Sequence, residues 1–283
     1  MLPAGAFDAA EGIDYSHDGA LLAVAELRGD CVAIVSGGAI VSRISCLCGP
    51  HDVAFSGDDA LLFVANRRGN TVTAHPRAGE ASYADAPAFR LRRAGWRSTT
   101  AVAVDPWGRL AVVDHEPSVS GYGEDGLLRW ELRGPSLDIP DGIAFSPAGV
   151  LLAVANNGSH SVTVYEGGHG GYGPEPVARI GGLRHPHGLA FVGEDLLVVA
   201  SSGGPEIVAF KRGGGDWSAV ARWPACPYEA FLAVHVDAYL ASGRTLACEG
   251  GAKGLAIHGH RLAWSGPNIG LRQISLDRLG LIP

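Results

Sequence analysis

Short apolar runs separated by polar turns fill the chain, and they recur at corresponding points. Residues 51–66 (HDVAFSGDDALLFVAN), 141–156 (DGIAFSPAGVLLAVAN), 187–201 (HGLAFVGEDLLVVAS) and 11–26 (EGIDYSHDGALLAVAE) align without effort. Residues 100–114 (TAVAVDPWGRLAVVD) fit with one residue fewer, and 229–249 fit with an insertion of about five residues. Each unit reads as an apolar strand, a hairpin turn and a second apolar strand. A third strand follows, as at Cys31–Val35, Thr71–His75, Ser161–Tyr165 and Glu206–Phe210. A more polar fourth comes next, as at Ile40–Ile44, Val177–Ile180 and Ser218–Trp223. Four antiparallel strands per unit make one blade of a β-propeller.

The units start at 11, 51, 100, 141, 187 and 229, with steps of 40, 49, 41, 46 and 42 residues, the spacing of propeller repeats. The pattern therefore predicts an all-β, six-bladed propeller over residues 1–283 as one domain. The stretch Leu2–Phe7 is expected to close the ring against the last blade. Reading Gly254–Ser265 as another first hairpin would give seven blades. The six-blade reading instead places Leu255–His258 and Arg261–Trp264 among the later strands of the last blade. Composition agrees: glycine fills 41 of 283 positions and charged residues only 18%, as turns every few residues between apolar strands require.

Charge and cysteine usage narrow the function classes. The net charge of −7, without Lys/Arg clusters, disfavours nucleic acid as a partner. No apolar run approaches the roughly 20 residues of a membrane span, and Met1–Ala10 lacks a basic start. Five cysteines without a signal sequence favour reduced thiols and a cytoplasmic setting. Cys46-Leu47-Cys48 has too short a spacing for a zinc knuckle and is read as packing. The expected partner is a small molecule at the channel mouth, with a protein partner as the other option.

Propeller geometry turns sequence positions into a site. First strands line the channel, so Glu11, His51, Thr100, Asp141, His187 and Glu229 should ring one mouth. The ends of the second strands, Glu26, Asn66, Asp114, Asn156, Ser201 and Glu249, should form a wider polar ring on the same face. Two imidazoles and three carboxylates around a narrow channel suit a divalent ion. The metal candidates are Glu11, His51, Asp141 and His187. Asp141 and Glu229 are candidates for proton transfer, and His115 is a candidate shuttle or fifth ligand. Asn66 and Asn156 are either supports for those ligands or turn formers.

The phrases Pro186-His187-Gly188-Leu189-Ala190-Phe191 and Pro140-Asp141-Gly142-Ile143-Ala144-Phe145 resemble repeats of the NHL, YVTN and gluconolactonase-type propellers. The resemblance covers most of the chain, and the nearest functional comparison is the six-bladed gluconolactonase/regucalcin group. It implies a divalent metal on the channel axis. Glu11-Gly12 matches that group's first ligand, a Glu in a Glu-Gly pair. At its other ligand positions, Thr100 and Asp141 replace Asn, and His187 replaces Asp. His51 is an additional candidate. The ligand set thereby shifts from all-oxygen to mixed nitrogen and oxygen, which points to zinc, manganese or iron rather than calcium. The expected activity is a metal-dependent hydrolase of the lactonase or esterase kind. The alternatives are a metal-dependent lyase or oxygenase using the same site, as in NHL-type zinc lyases, and a binding or scaffold propeller without chemistry.

Overall fold

A computed structural model of the chain describes residues 2–228, 231 and 250–282. Six antiparallel sheets follow one another around a central channel. Their innermost strands are Ala10–Tyr15, Pro50–Phe55, Thr99–Val104, Pro140–Phe145, Pro186–Val192 and Leu255–His258. Each pairs with the next strand in sequence, and the order within a sheet runs outward along the chain. The architecture is the expected six-bladed propeller.

The apolar runs follow from blade stacking. Second strands such as Leu22–Glu26 and Leu151–Asn156 are buried at every position. Both faces of a blade pack against its neighbours, so these strands show no polar alternation. Side chains such as Val32 and Ile34 of the first blade form one core with Val53 and Leu62 of the second. The fourth strand Ala39–Ile44 lies on the rim and does alternate between exposed and covered positions. On the face away from the site, Ser16, Ser56 and Ser146 each accept the backbone N–H of the residue five positions on, closing the first hairpin.

The sixth blade departs from the sequence reading. Its described strands are Leu255–His258, Arg261–Gly266 and Gly270–Ser275, in that order outward. Leu255–His258 packs beside the innermost strands of blades one and five. It is thus the channel-lining strand of blade six, not a later one, and Gly254–Ser265 holds the first hairpin of the sixth blade rather than of a seventh. Glu229, with most of the segment 229–249, lies outside the described residues. Leu2 bridges Leu271 of the outermost described strand, adding N-terminal backbone to the last sheet.

Candidate metal centre

The ring residues project inward because the inner strands bulge where they stand. Pairing with the second strand breaks register between Ala10 and Ile13, Pro50 and Asp52, Thr99 and Ala101, Pro140 and Gly142, and Pro186 and Leu189. The residues skipped include Glu11, His51, Thr100, Asp141 and His187. A bulge frees one residue from the ladder and re-aims its side chain. The glycine that often follows has a packing cause. A Cβ on Gly142 would lie 1.8 Å from the His187 carbonyl oxygen, and one on Gly254 would lie 2.3 Å from that of Glu11. Only glycine lets adjacent inner strands approach this closely.

This packing brings four predicted residues together. Glu11, His51 and His187 place ligand atoms that all lie within 4.8 Å of one another. His187 Nε2 is 3.7 Å from Glu11 Oε2, and His51 Nε2 is 3.9 Å from the same oxygen. Asp141 stands beside both rings, with Oδ2 3.4 Å from His187 Nε2 and Oδ1 3.9 Å from His51 Nε2. The His51 and His187 rings stack with centroids 5.1 Å apart. All four residues are buried. Yet Glu11 Oε2, His51 Nε2, His187 Nε2 and Asp141 Oδ1 have no hydrogen-bond partner. Buried polar atoms are nearly always paired, and one orphan costs about 1–3 kcal/mol. Three of these orphans, on Glu11, His51 and His187, lie within 4.8 Å of one another, and their convergence is therefore a strong geometric signal. Ligand atoms around a tetrahedral zinc lie about 3.4 Å apart, given bond lengths near 2.1 Å. The separations of Glu11 Oε2 from the two imidazole nitrogens, 3.7 and 3.9 Å, are close to that edge.

Protonation favours ligation as well. His51 Nδ1 lies 2.8 Å from the Thr100 carbonyl oxygen. A carbonyl only accepts, so Nδ1 carries the proton and Nε2 turns its lone pair to the axis. Burial pushes the His51 imidazolium down to about 4, outweighing the pull of Asp141 and Glu11. Burial works against ionisation of Asp141, but His187, with His115 and His51, holds its carboxyl well below the usual range. At neutral pH the site therefore presents a neutral imidazole beside a carboxylate.

Other ring members serve differently. Thr100 donates its hydroxyl to the Pro140 carbonyl oxygen, and its own carbonyl fixes His51. His115 Nε2 sits 3.5 Å from Asp141 Oδ1, with the side chain partly open to solvent. The sequence reading missed Lys253, which takes the sixth blade's place at the ring: its Nζ is 3.0 Å from Glu11 Oε1. The signal was present in Lys253-Gly254-Leu255-Ala256, which repeats the pattern of Asp141-Gly142-Ile143-Ala144. Asn157, also missed, donates to Asp141 Oδ2 at 3.4 Å and lies 2.9 Å from His185 Nδ1.

The outer ring does not support the ligands. Asn66 accepts from the backbone N–H of Cys48 and donates to Val64 and Thr73. Asn156 does the same with Asp138, Val154 and Thr163. Both clamp the chain entering their own blade. Cys46 and Cys48 are exposed, so they do not pack as expected.

Below the ring, the channel holds a cavity of about 250 Å³. Asp14 and Asp52 line it and tie neighbouring inner strands together by accepting from the backbone N–H groups of Phe55 and Val102. Burial pushes both carboxyls up, Asp14 to about 7.

No known protein family matches the chain in sequence, and no curated protein does. Among solved structures it is similar to Kuenenia stuttgartiensis hydrazine synthase. The two are 15% identical over 98% of this chain and 79% of that one, with a TM-score of 0.68. The likeness is one of fold.

Proposed function

We propose that the protein is a metal-dependent hydrolase of the lactonase or esterase kind, resembling the gluconolactonase/regucalcin propellers in placing its ion on the channel axis. The observation that carries this reading is the convergence of three buried, unpartnered ligand atoms from blades one, two and five, with the Asp141 carboxylate of blade four beside them. Glu11, His51 and His187 hold the ion. Two nitrogens and one oxygen suit zinc, manganese or iron better than calcium. A bound divalent ion would polarise the substrate carbonyl and acidify a water. Asp141, whose carboxyl is held well below the usual range, would be the residue placed to accept a proton there. His115, with Nε2 3.5 Å from Asp141 Oδ1 and its side chain partly open to solvent, would carry that proton towards the channel mouth. Asn157 fixes the second oxygen of Asp141.

The test is ester and lactone hydrolysis by metal-free protein and by protein reloaded with zinc, manganese, iron(II) or calcium. The reading expects turnover with one of the first three, and its loss in Asp141→Asn with the ion still bound. Protein that binds no ion, or binds one and hydrolyses nothing in a broad ester and lactone panel, would contradict it.

A further inference from the structure

The junction between the second and third blades differs from the one between the fourth and fifth. Phe210 pairs with Ala219, and Tyr122 pairs with Leu128, at equivalent points of the third and fourth strands. Two residues before Ala219, Trp217 packs on the core shared by the fourth and fifth blades, its ring 6.2 Å from that of Phe191. Two residues before Leu128 stands Gly126, which brings no side chain. A cavity of about 720 Å³ opens there, with Gly126 in its wall. Its size falls in the range of roughly 300–1,000 Å³ that small-molecule sites occupy.

Blade two shapes the opposite wall. Its outer strand is split: Phe89–Leu91 pairs only with Val72–Ala74, and the Tyr83 ring of the preceding short strand joins the core of blades one and two. The wall is apolar, built from Leu61, Phe63, Phe89, Leu91, Leu110 and Tyr122. Phe63 and Phe89 tilt against each other with centroids 6.2 Å apart, and Phe89 remains 43% exposed. The charged groups at this wall are Asp58, Glu124, Asp125 and Arg90. Asp125 is paired with Arg129 at 2.5 Å. Arg90 pairs with Thr73, whereas Phe89 and Leu91 pair with Ala74 and Val72 of the core that faces blade three. Alternation along the strand therefore turns the Arg90 side chain to the other face of the blade. Among the described residues no cation pairs with Glu124. Its Oε1 would lie 3.7 Å from a Cβ on Gly108, a residue of the same wall, so the carboxylate stands at the cavity's edge.

We propose that this cavity binds a small organic cation, an ammonium group on an aromatic body, with the body against Phe63, Phe89 and Leu110 and the ammonium beside Glu124. Aromatic rings receive both parts of such a ligand. Their faces attract a cation within about 6 Å, and their area buries its apolar body. The acidic edge supplies the complementary charge and disfavours an anion of the same shape. The site is separate from the Glu11–His51–His187 centre and does not depend on an ion there.

The experiment is calorimetric titration of the full chain with phenethylammonium, its neutral analogue phenethyl alcohol, its anionic analogue hydrocinnamate, and ethylammonium, which has the charge without the ring. The wild type should bind phenethylammonium about tenfold more tightly than any of the other three, and equally well with and without zinc. Glu124→Gln should lose about tenfold for phenethylammonium and leave phenethyl alcohol unchanged. Phe89→Ala should weaken both of these ring compounds about tenfold. Glu175→Gln, which removes an exposed acid of the fourth blade, should bind all four as the wild type does. If Phe89→Ala shows no cooperative melt, Phe89→Leu takes its place, with the same loss expected for the cation. Phenethylammonium that binds no better than phenethyl alcohol or ethylammonium, or binds equally well to Glu124→Gln and the Phe89 variant, overturns the proposal. Tighter binding of hydrocinnamate would assign the charge recognition to Arg90 and overturns it as well.

Discussion

Two concentric rings of polar residues lie on one face of the propeller, and they differ in what their atoms do. In the outer ring, Glu26, Asn66, Asp114, Asn156 and Ser201 all accept backbone N–H groups from the chain entering their own blade. Five different side chains share one task, and each is satisfied by it. In the inner ring, Glu11, His51, Asp141 and His187 stand at equivalent bulges, yet they leave four buried atoms without partners. A repeated position with satisfied polar atoms serves the fold. A repeated position whose polar atoms converge unpaired costs the fold free energy, and a ligand is what offsets such a cost.

The largest expected effect comes from breaking the inner ring. His51→Ala should weaken zinc binding more than 1000-fold, about 4 kcal/mol. In the wild type, zinc at 100 times its dissociation constant should stabilise the fold by about 2.7 kcal/mol, and His51→Ala should lose that rise in melting temperature. An outer-ring change should do the reverse. Asp114→Ala strands the N–H groups of Arg97, Ser98 and Glu116. It should cost about 2–4 kcal/mol of stability by urea unfolding, with zinc affinity within threefold of the wild type.

Acid should separate the inner ring from the channel below it. The folded pKa of His51 is lowered from 6.5 to about 4, so the unfolded chain takes up this proton first as pH falls. The stability His51 contributes to the metal-free protein is fully present above 6.5 and is lost as pH falls from 6.5 through 4, about 3 kcal/mol in all. Asp14 acts in the opposite sense, because its folded pKa is raised from 3.8 to about 7: acid in that window favours the folded form. The difference between the wild type and His51→Gln, followed by unfolding from pH 7 to 4, cancels the Asp14 contribution and should shrink by that amount. The smallest effect is expected at the inner ring's support. Asn157→Ala should reduce ester turnover by the metal-loaded protein about tenfold and leave zinc affinity within threefold.

The repeat made the fold legible, because blades that bury both faces must read as apolar runs, and it carried Glu11, His51, Asp141 and His187 to equivalent positions. What it did not convey was which of two candidate segments lines the channel in blade six. Residues 229–249 imitate a hairpin unit with apolar runs alone, whereas Lys253-Gly254 carries the packing signature, the glycine that lets inner strands touch. A lysine where the other units offer carboxylate, imidazole or the hydroxyl of Thr100 hid the match. Asn157 was hidden for a different reason. It follows Asn156 directly, and only the backbone path decides that one amide clamps the entering chain while the other reaches Asp141. Hydrogen-bond satisfaction, which separates the two rings, is a property of assembled atoms and has no trace in spacing.

The most direct test of the central claim is an anomalous-difference map from crystals of the full chain grown with zinc. The account predicts a peak on the channel axis with Glu11 Oε2, His51 Nε2 and His187 Nε2 at about 2.0–2.2 Å. A map without density at that point, with the three side chains paired to one another or to ordered water, would contradict it.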